Sequence, residues 1–114
     1  MLKKILEILK EKYKKYKNRY GIKSNFFEIG KTYKVTEEFV CHSMKFRKSE
    51  ELICLYNFLS WYDSVYIITF KNKQDKIKRI YIDEMYLDDG RYRPRPNIDV
   101  IEELQSYEKY FERI

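Results

Sequence analysis

Leu2, Ile5, Leu6, Leu9, Tyr13, Tyr16 and Tyr20 recur at three- and four-residue intervals. At 3.6 residues per turn they fall on one stripe, so residues 2–20 are expected to form an amphipathic helix. Gly21 is placed to close it in a left-handed cap. After Gly21 the period shortens towards two. Tyr33 and Val35 alternate with Lys34 and Thr36, and Val40, His42, Met44 and Phe46 alternate with Cys41, Ser43 and Lys45. This predicts strands within residues 25–47, with a turn or a bulge at Gly30-Lys31 and a turn at Glu37-Glu38.

Residues 50–62 fit two patterns. Ser49 is a good N-cap, Glu50 and Glu51 suit a first turn, and Leu52, Leu55, Tyr56, Leu59 and Tyr62 make a helical stripe. A short middle helix is expected, with a buried strand as the alternative, because Ile53, Cys54, Phe58 and Trp61 are apolar on the remaining sides. Residues 64–83 read as a β-hairpin. Val65 to Phe70 is β-branched and aromatic, Asn72 to Lys76 is polar, and Ile80 and Ile82 share one face of the return strand. Residues 83–97 are acidic and then proline-bounded, which favours an extended run. Asp99 and Glu102 match a capping box for a last helix, whose stripe is Val100, Leu104, Tyr107, Phe111 and Ile114. The expected fold is a single α+β domain over residues 1–114. It has a small antiparallel sheet of four to five strands, an N-terminal and a C-terminal amphipathic helix, and a short middle helix.

Composition sharpens this picture. Aromatic residues make up 18% of the 114, with twelve tyrosines and seven phenylalanines. Tyrosine buries a large ring and keeps a polar tip, so it serves small cores and protein interfaces alike. A homodimer is compatible with that load. Alanine is absent, while Lys, Ile and Tyr abound. The longest apolar runs fall far short of the ~20 residues of a membrane span, and Glu7, Lys10 and Glu11 interrupt any leader-like start. A cytoplasmic protein with no membrane partner is expected. Cys41 and Cys54 fit no zinc or thioredoxin spacing and read as buried, reduced thiols.

The net charge is +6. Residues 1–20 hold eight Lys or Arg against two Glu, and the other 94 residues are balanced. All of the excess therefore sits on the N-terminal segment. Lys10, Lys14 and Lys17 flank one side of its apolar stripe and Arg19 the other, which could be no more than a solvated helix rim. The same groups could face nucleic-acid phosphates or an acidic protein. A second candidate is the run Arg91, Arg93 and Arg95. In an extended segment these point to one side, with Tyr92 opposite. They could clamp phosphates and stack on bases, or pair with nearby Asp83, Glu84, Asp88 and Asp89.

Chemical motifs are lacking. The acidic residues match no Ca-binding loop, the three glycines form no phosphate loop, and His42 lies in a strand-like run. The sequence points to no catalytic residue, no metal and no cofactor.

The Lys/Ile/Tyr-rich style of stretches such as 11–17 (Lys-Tyr-Lys-Lys-Tyr within it) and Ser64-Val65-Tyr66-Ile67-Ile68-Thr69-Phe70 resembles small orphan proteins of crenarchaeal rod-shaped and filamentous viruses. In outline the chain is also similar to the small inhibitors of an archaeal CRISPR effector. Those combine helices with an antiparallel sheet, act as dimers, and bind a large host effector subunit. They are acidic and this chain is basic. The resemblance implies a non-enzymatic viral or mobile-element accessory protein that binds a host protein stoichiometrically and inhibits host defence. The alternative is a sequence-nonspecific nucleic-acid binder using the basic N-terminal helix.

Overall fold

The structure, a computed structural model, describes residues 3–5, 24–60 and 65–114. Residues 3–5 are helical. The rest of the expected N-terminal helix, with Lys10, Lys14, Lys17 and Arg19, lies outside the described residues.

Five antiparallel strands form the main sheet: β1 (Thr32–Val35), β4 (Glu51–Ser60), β5 (Val65–Asn72), β6 (Ile77–Asp83) and β9 (Phe111–Arg113), in the order β6-β5-β4-β1-β9. Two further hairpins are β2 (Phe39–Cys41) with β3 (Met44–Phe46), and β7 (Met85–Asp88) with β8 (Arg91–Pro94). A single helix of twelve residues, α1 (Asn97–Glu108), stands out among the described residues. About half of the described residues are strand and 17% helix. The fold is mostly β, which overturns the expected α+β architecture of amphipathic helices around a small sheet.

The middle segment is the main reason. Residues 51–60 are a ten-residue strand, not a helix. Its register with β5 slips between Cys54 and Tyr56, so Leu55 is an extra residue in a β-bulge. The bulge reverses the alternation. Leu52, Cys54 and Asn57 point to one face, and Ile53, Tyr56 and Phe58 to the other. Steps of two mixed with steps of three imitate a helical period, and the ladders from β1 and β5 decide for the strand.

Two other expectations need correcting. His42 and Ser43 have φ of 47° and 67° and form a hairpin turn, so the even-numbered alternation through 40–46 breaks. Cys41 and Phe46 are buried and Val40 is 61% exposed. The last helix begins at Asn97, with Pro96 at its cap and no side-chain cap bond, so the Asp99–Glu102 capping box does not form. It ends at Glu108. Phe111 then turns inward as part of β9, paired with Val35 of β1.

The inner face of the sheet carries Tyr33, Leu52, Ile68, Phe70, Ile80 and Ile82, all fully buried. The loop residue Phe27, the β2–β3 hairpin and the Val100/Leu104 side of α1 cover it. Phe27 is the hub. Its ring lies 5.0–5.3 Å from those of Phe26, Tyr33, Phe70 and Phe111. Each such side chain stabilises the fold by about 1.5–3 kcal/mol through burial alone. Two phenols hold the Phe27 loop in place. Tyr33 accepts the Glu28 N–H and donates to the Phe26 carbonyl, while Tyr66 accepts the Ser24 N–H and donates to Asn57, whose amide reaches the Phe27 carbonyl. Burial pushes the Tyr66 phenol up to about 12.

The β2–β3 hairpin closes one sheet edge. An edge strand presents unpaired N–H groups that invite aggregation. Here the Arg79 N–H meets Met44 Sδ at 3.1 Å and the Tyr81 N–H meets Cys41 Sγ at 3.5 Å. Lys78 fastens the same junction. It is 4% exposed, and its Nζ donates to the Lys45 carbonyl and to Glu50 Oε1, both at 2.6 Å. Glu50 also accepts from Asn72 and from the Arg47 N–H. Burial would raise the Glu50 carboxyl, but the bonds from Lys78 and Asn72 outweigh it and hold it below its ordinary value. Cys41 and Cys54 are free and buried, and burial pushes the Cys54 thiol up to about 11.

Lys78→Met strands a buried carboxylate and is expected to cost about 3–5 kcal/mol in urea unfolding at neutral pH. The pH dependence has a definite sign. Glu50 is lower in the folded state, so its contribution is complete above the unfolded value of 4.5 and is lost as pH falls through the folded value. Glu50→Gln should flatten that part of the acid limb. An unchanged acid profile would show that the pair contributes nothing.

Candidate partner-binding hairpin

Arg91 and Arg93 lie on β8 and Arg95 just past its end, in a hairpin where the sequence predicted only an extended run. Asp89 and Gly90 have φ of 50° and 74°, the signature of a two-residue turn with both central residues left-handed. The pairing Tyr86↔Arg93 and Asp88↔Arg91 puts Arg91 and Arg93 on one face. Leu87↔Tyr92 and Met85↔Pro94 form the other.

The three arginines part company in this geometry. Arg95 is a structural tie. Its Nη1 donates to the Asp83 carbonyl at 2.8 Å and to Glu103 Oε1 at 3.2 Å, Nη2 reaches the Asp99 carbonyl, and its own N–H donates to the Glu84 carbonyl at 2.7 Å. It thereby joins the end of β6, the base of the hairpin and the first half of α1. Arg93 pairs with Asp88 at 3.1 Å in an exposed contact, which is worth little on its own. Arg91 is exposed at the tip and makes no ion pair with a described residue. Arg91 and Arg93 are thus presented outward and Arg95 is not.

Sequence reasoning missed the apolar half of this arm. Leu87 is 63% and Tyr92 74% exposed on it, and Tyr86, on the arginine face, is 44% exposed. The signal was present in Asp89-Gly90 between Tyr86-Leu87 and Tyr92, since Asp-Gly between strand-like residues marks a tight hairpin. A four-residue strand pair gains little stability alone, and this one is fixed at its base by Arg95. The result is an anchored arm with an apolar face of Met85, Leu87, Tyr92 and Pro94 and an opposite face of Tyr86, Asp88, Arg91 and Arg93. Tyr and Arg carry a large share of the energy at protein interfaces. No helix among the described residues is long and apolar enough to cross a membrane.

No protein-family model matches the chain, and no curated protein matches it in sequence. Among solved structures, an integron cassette protein from the mobile metagenome of Vibrio cholerae is similar in fold. It is 19% identical, with a TM-score of 0.50, over 83% of this chain and 89% of that one. At such identity the likeness is one of fold.

The division among the arginines is testable by urea unfolding. Arg95→Ala should lose about 1–3 kcal/mol, because it leaves carbonyls and Glu103 without their donor. Arg91→Ala should stay within about 0.5 kcal/mol of the parent. Equal losses would contradict the assignment of Arg95 as the tie.

Proposed function

We propose that the chain is a non-enzymatic accessory protein of a mobile element that works by stoichiometric binding of a host protein, with the β7–β8 hairpin as its docking arm. The observation that carries this reading is the outward face of the hairpin, where Leu87 and Tyr92 are both more than half exposed on a base fixed by Arg95. Burying that pair against a partner removes two large apolar groups from water, and Arg91 and Arg93 on the opposite face add charge that steers an acidic partner towards the arm. Fold likeness to a cassette protein of a mobile metagenome is consistent with a mobile element as the source. Within this reading, the resemblance to viral inhibitors nominates a component of host defence as the target.

The test is capture by the tagged full chain from lysate of the cell that carries the element, after nuclease treatment. The expected result is one host protein at near-equal molar amount, lost when Leu87→Asp and Tyr92→Ser are combined. Recovery of no protein at mild salt, or identical recovery with the double variant, would overturn the assignment.

A further inference from the structure

The outer face of the main sheet carries a second arrangement, independent of the hairpin. Cross-strand register places Phe58, Ile67 and Tyr81 in one row and Tyr56, Thr69 and Arg79 in the next. The Leu55 bulge brings Tyr56 and Phe58 to this face together. Their rings are 40% and 46% exposed, with centroids 5.7 Å apart and planes inclined by 42°. His42, in the hairpin turn beyond the sheet edge, adds a ring 5.2 Å from that of Tyr81.

Arg79 lies among these rings. Its polar neighbours are the phenols of Tyr56 and Tyr81, and it forms no ion pair with a carboxylate among the described residues. Other charges on the face are matched or nearly so. Lys71 pairs with Asp75, and Lys34 stands opposite Glu51 and Glu112. Beneath the rings, Thr69 is completely buried, with its hydroxyl beside the phenol of Tyr56.

These features select among occupants. A purely apolar protein surface would bury Arg79 without a counter-charge, which is costly. A duplex offers phosphates but keeps its base faces stacked inside. A single strand offers both unstacked base planes for aromatic rings and phosphate for a guanidinium. We propose that this face binds single-stranded nucleic acid, with bases stacked on Tyr56 and Phe58 and a backbone phosphate held by Arg79. The bulge is then the device that makes the site, since without it Tyr56 would face the core.

Fluorescence anisotropy of the full chain with a short labelled oligothymidylate, the same-length duplex and thymidine monophosphate tests this. The single strand should bind more tightly than the other two. Tyr56→Ser and Phe58→Ser should each weaken single-strand binding roughly 5- to 100-fold and leave duplex binding unchanged. Phe58→Tyr should retain binding, which separates loss of stacking from loss of fold. Arg79→Gln should weaken binding and reduce the salt slope by about 0.7. Equal affinity for duplex with no response to Tyr56→Ser or Phe58→Ser would overturn the proposal and assign binding to lysines elsewhere. Monophosphate binding as tight as that of the oligomer would overturn it in favour of a free nucleotide. The combined Leu87→Asp and Tyr92→Ser variant should bind the oligomer as the parent does, so this site and the hairpin fail separately.

Discussion

Strand β5 is buried on both faces from Val65 to Phe70, and the rest of the fold answers to that constraint. A strand in this condition needs cover on each side of the sheet. The inner side is covered by elements: α1, the β2–β3 hairpin and the Phe27 loop. On the outer side, cross-strand neighbours flank β5 directly, with Tyr56 and Arg79 on either side of Thr69, and Phe58 and Tyr81 on either side of Ile67. The same side chains that shield β5 therefore form the surface offered outward. Stability and recognition share residues on that face, because large aromatic groups can bury one edge and expose the other.

Side-chain chemistry closes the β6 edge of the main sheet. Sulfur atoms of Cys41 and Met44 meet the outward N–H groups of β6, and Lys78 anchors the hairpin that carries them. The largely buried ion pair that results is strong as a fastening and fragile to single substitution, since removing one charge leaves the other without its counter-charge in a poorly hydrated place. This also explains why Cys41 is buried without a disulfide. Its thiol is engaged at an edge, with Tyr107 packed close enough to be raised by burial and by Cys41 itself.

How much of this was legible follows from which forces were local. The β5–β6 hairpin and the inward Ile80 and Ile82 were readable, because β-branched runs around a polar turn carry their own signal. The buried thiols were readable because their spacing fits no zinc or redox site, while Gly30 allowed a turn or a bulge and the structure has the turn. The middle strand was readable only as the alternative to a helix. A bulge at Leu55 produces mixed spacing that mimics a helix, and only the ladders from distant β1 and β5 resolve it. The Cys41 face of the β2–β3 hairpin was misassigned because two non-glycine residues, His42 and Ser43, adopt left-handed conformations. Such positions cost little when a hairpin's twist demands them, yet nothing in His-Ser announces the turn. Phe111 was read into the helical stripe because its spacing fits, and it is the pairing of β9 with β1 that removes it.

The candidate sites divide along the same line. Arg91, Arg93 and Arg95 are one motif in sequence and three roles in space, since the turn at Asp89-Gly90 and the end of β8 fix what each can reach. Arg95 lies past the last paired residue, and its side chain turns back to the carbonyls of Asp83 and Asp99. Arg79, by contrast, attracts no notice in sequence. It is one basic residue among many on an alternating strand. Its significance comes entirely from register, which sets it in the row of Thr69 and Tyr56, with no ion pair to a carboxylate among the described residues. A charged group whose neighbours are rings and hydroxyls is poised for an anion from outside, and register rather than motif is what brings it there.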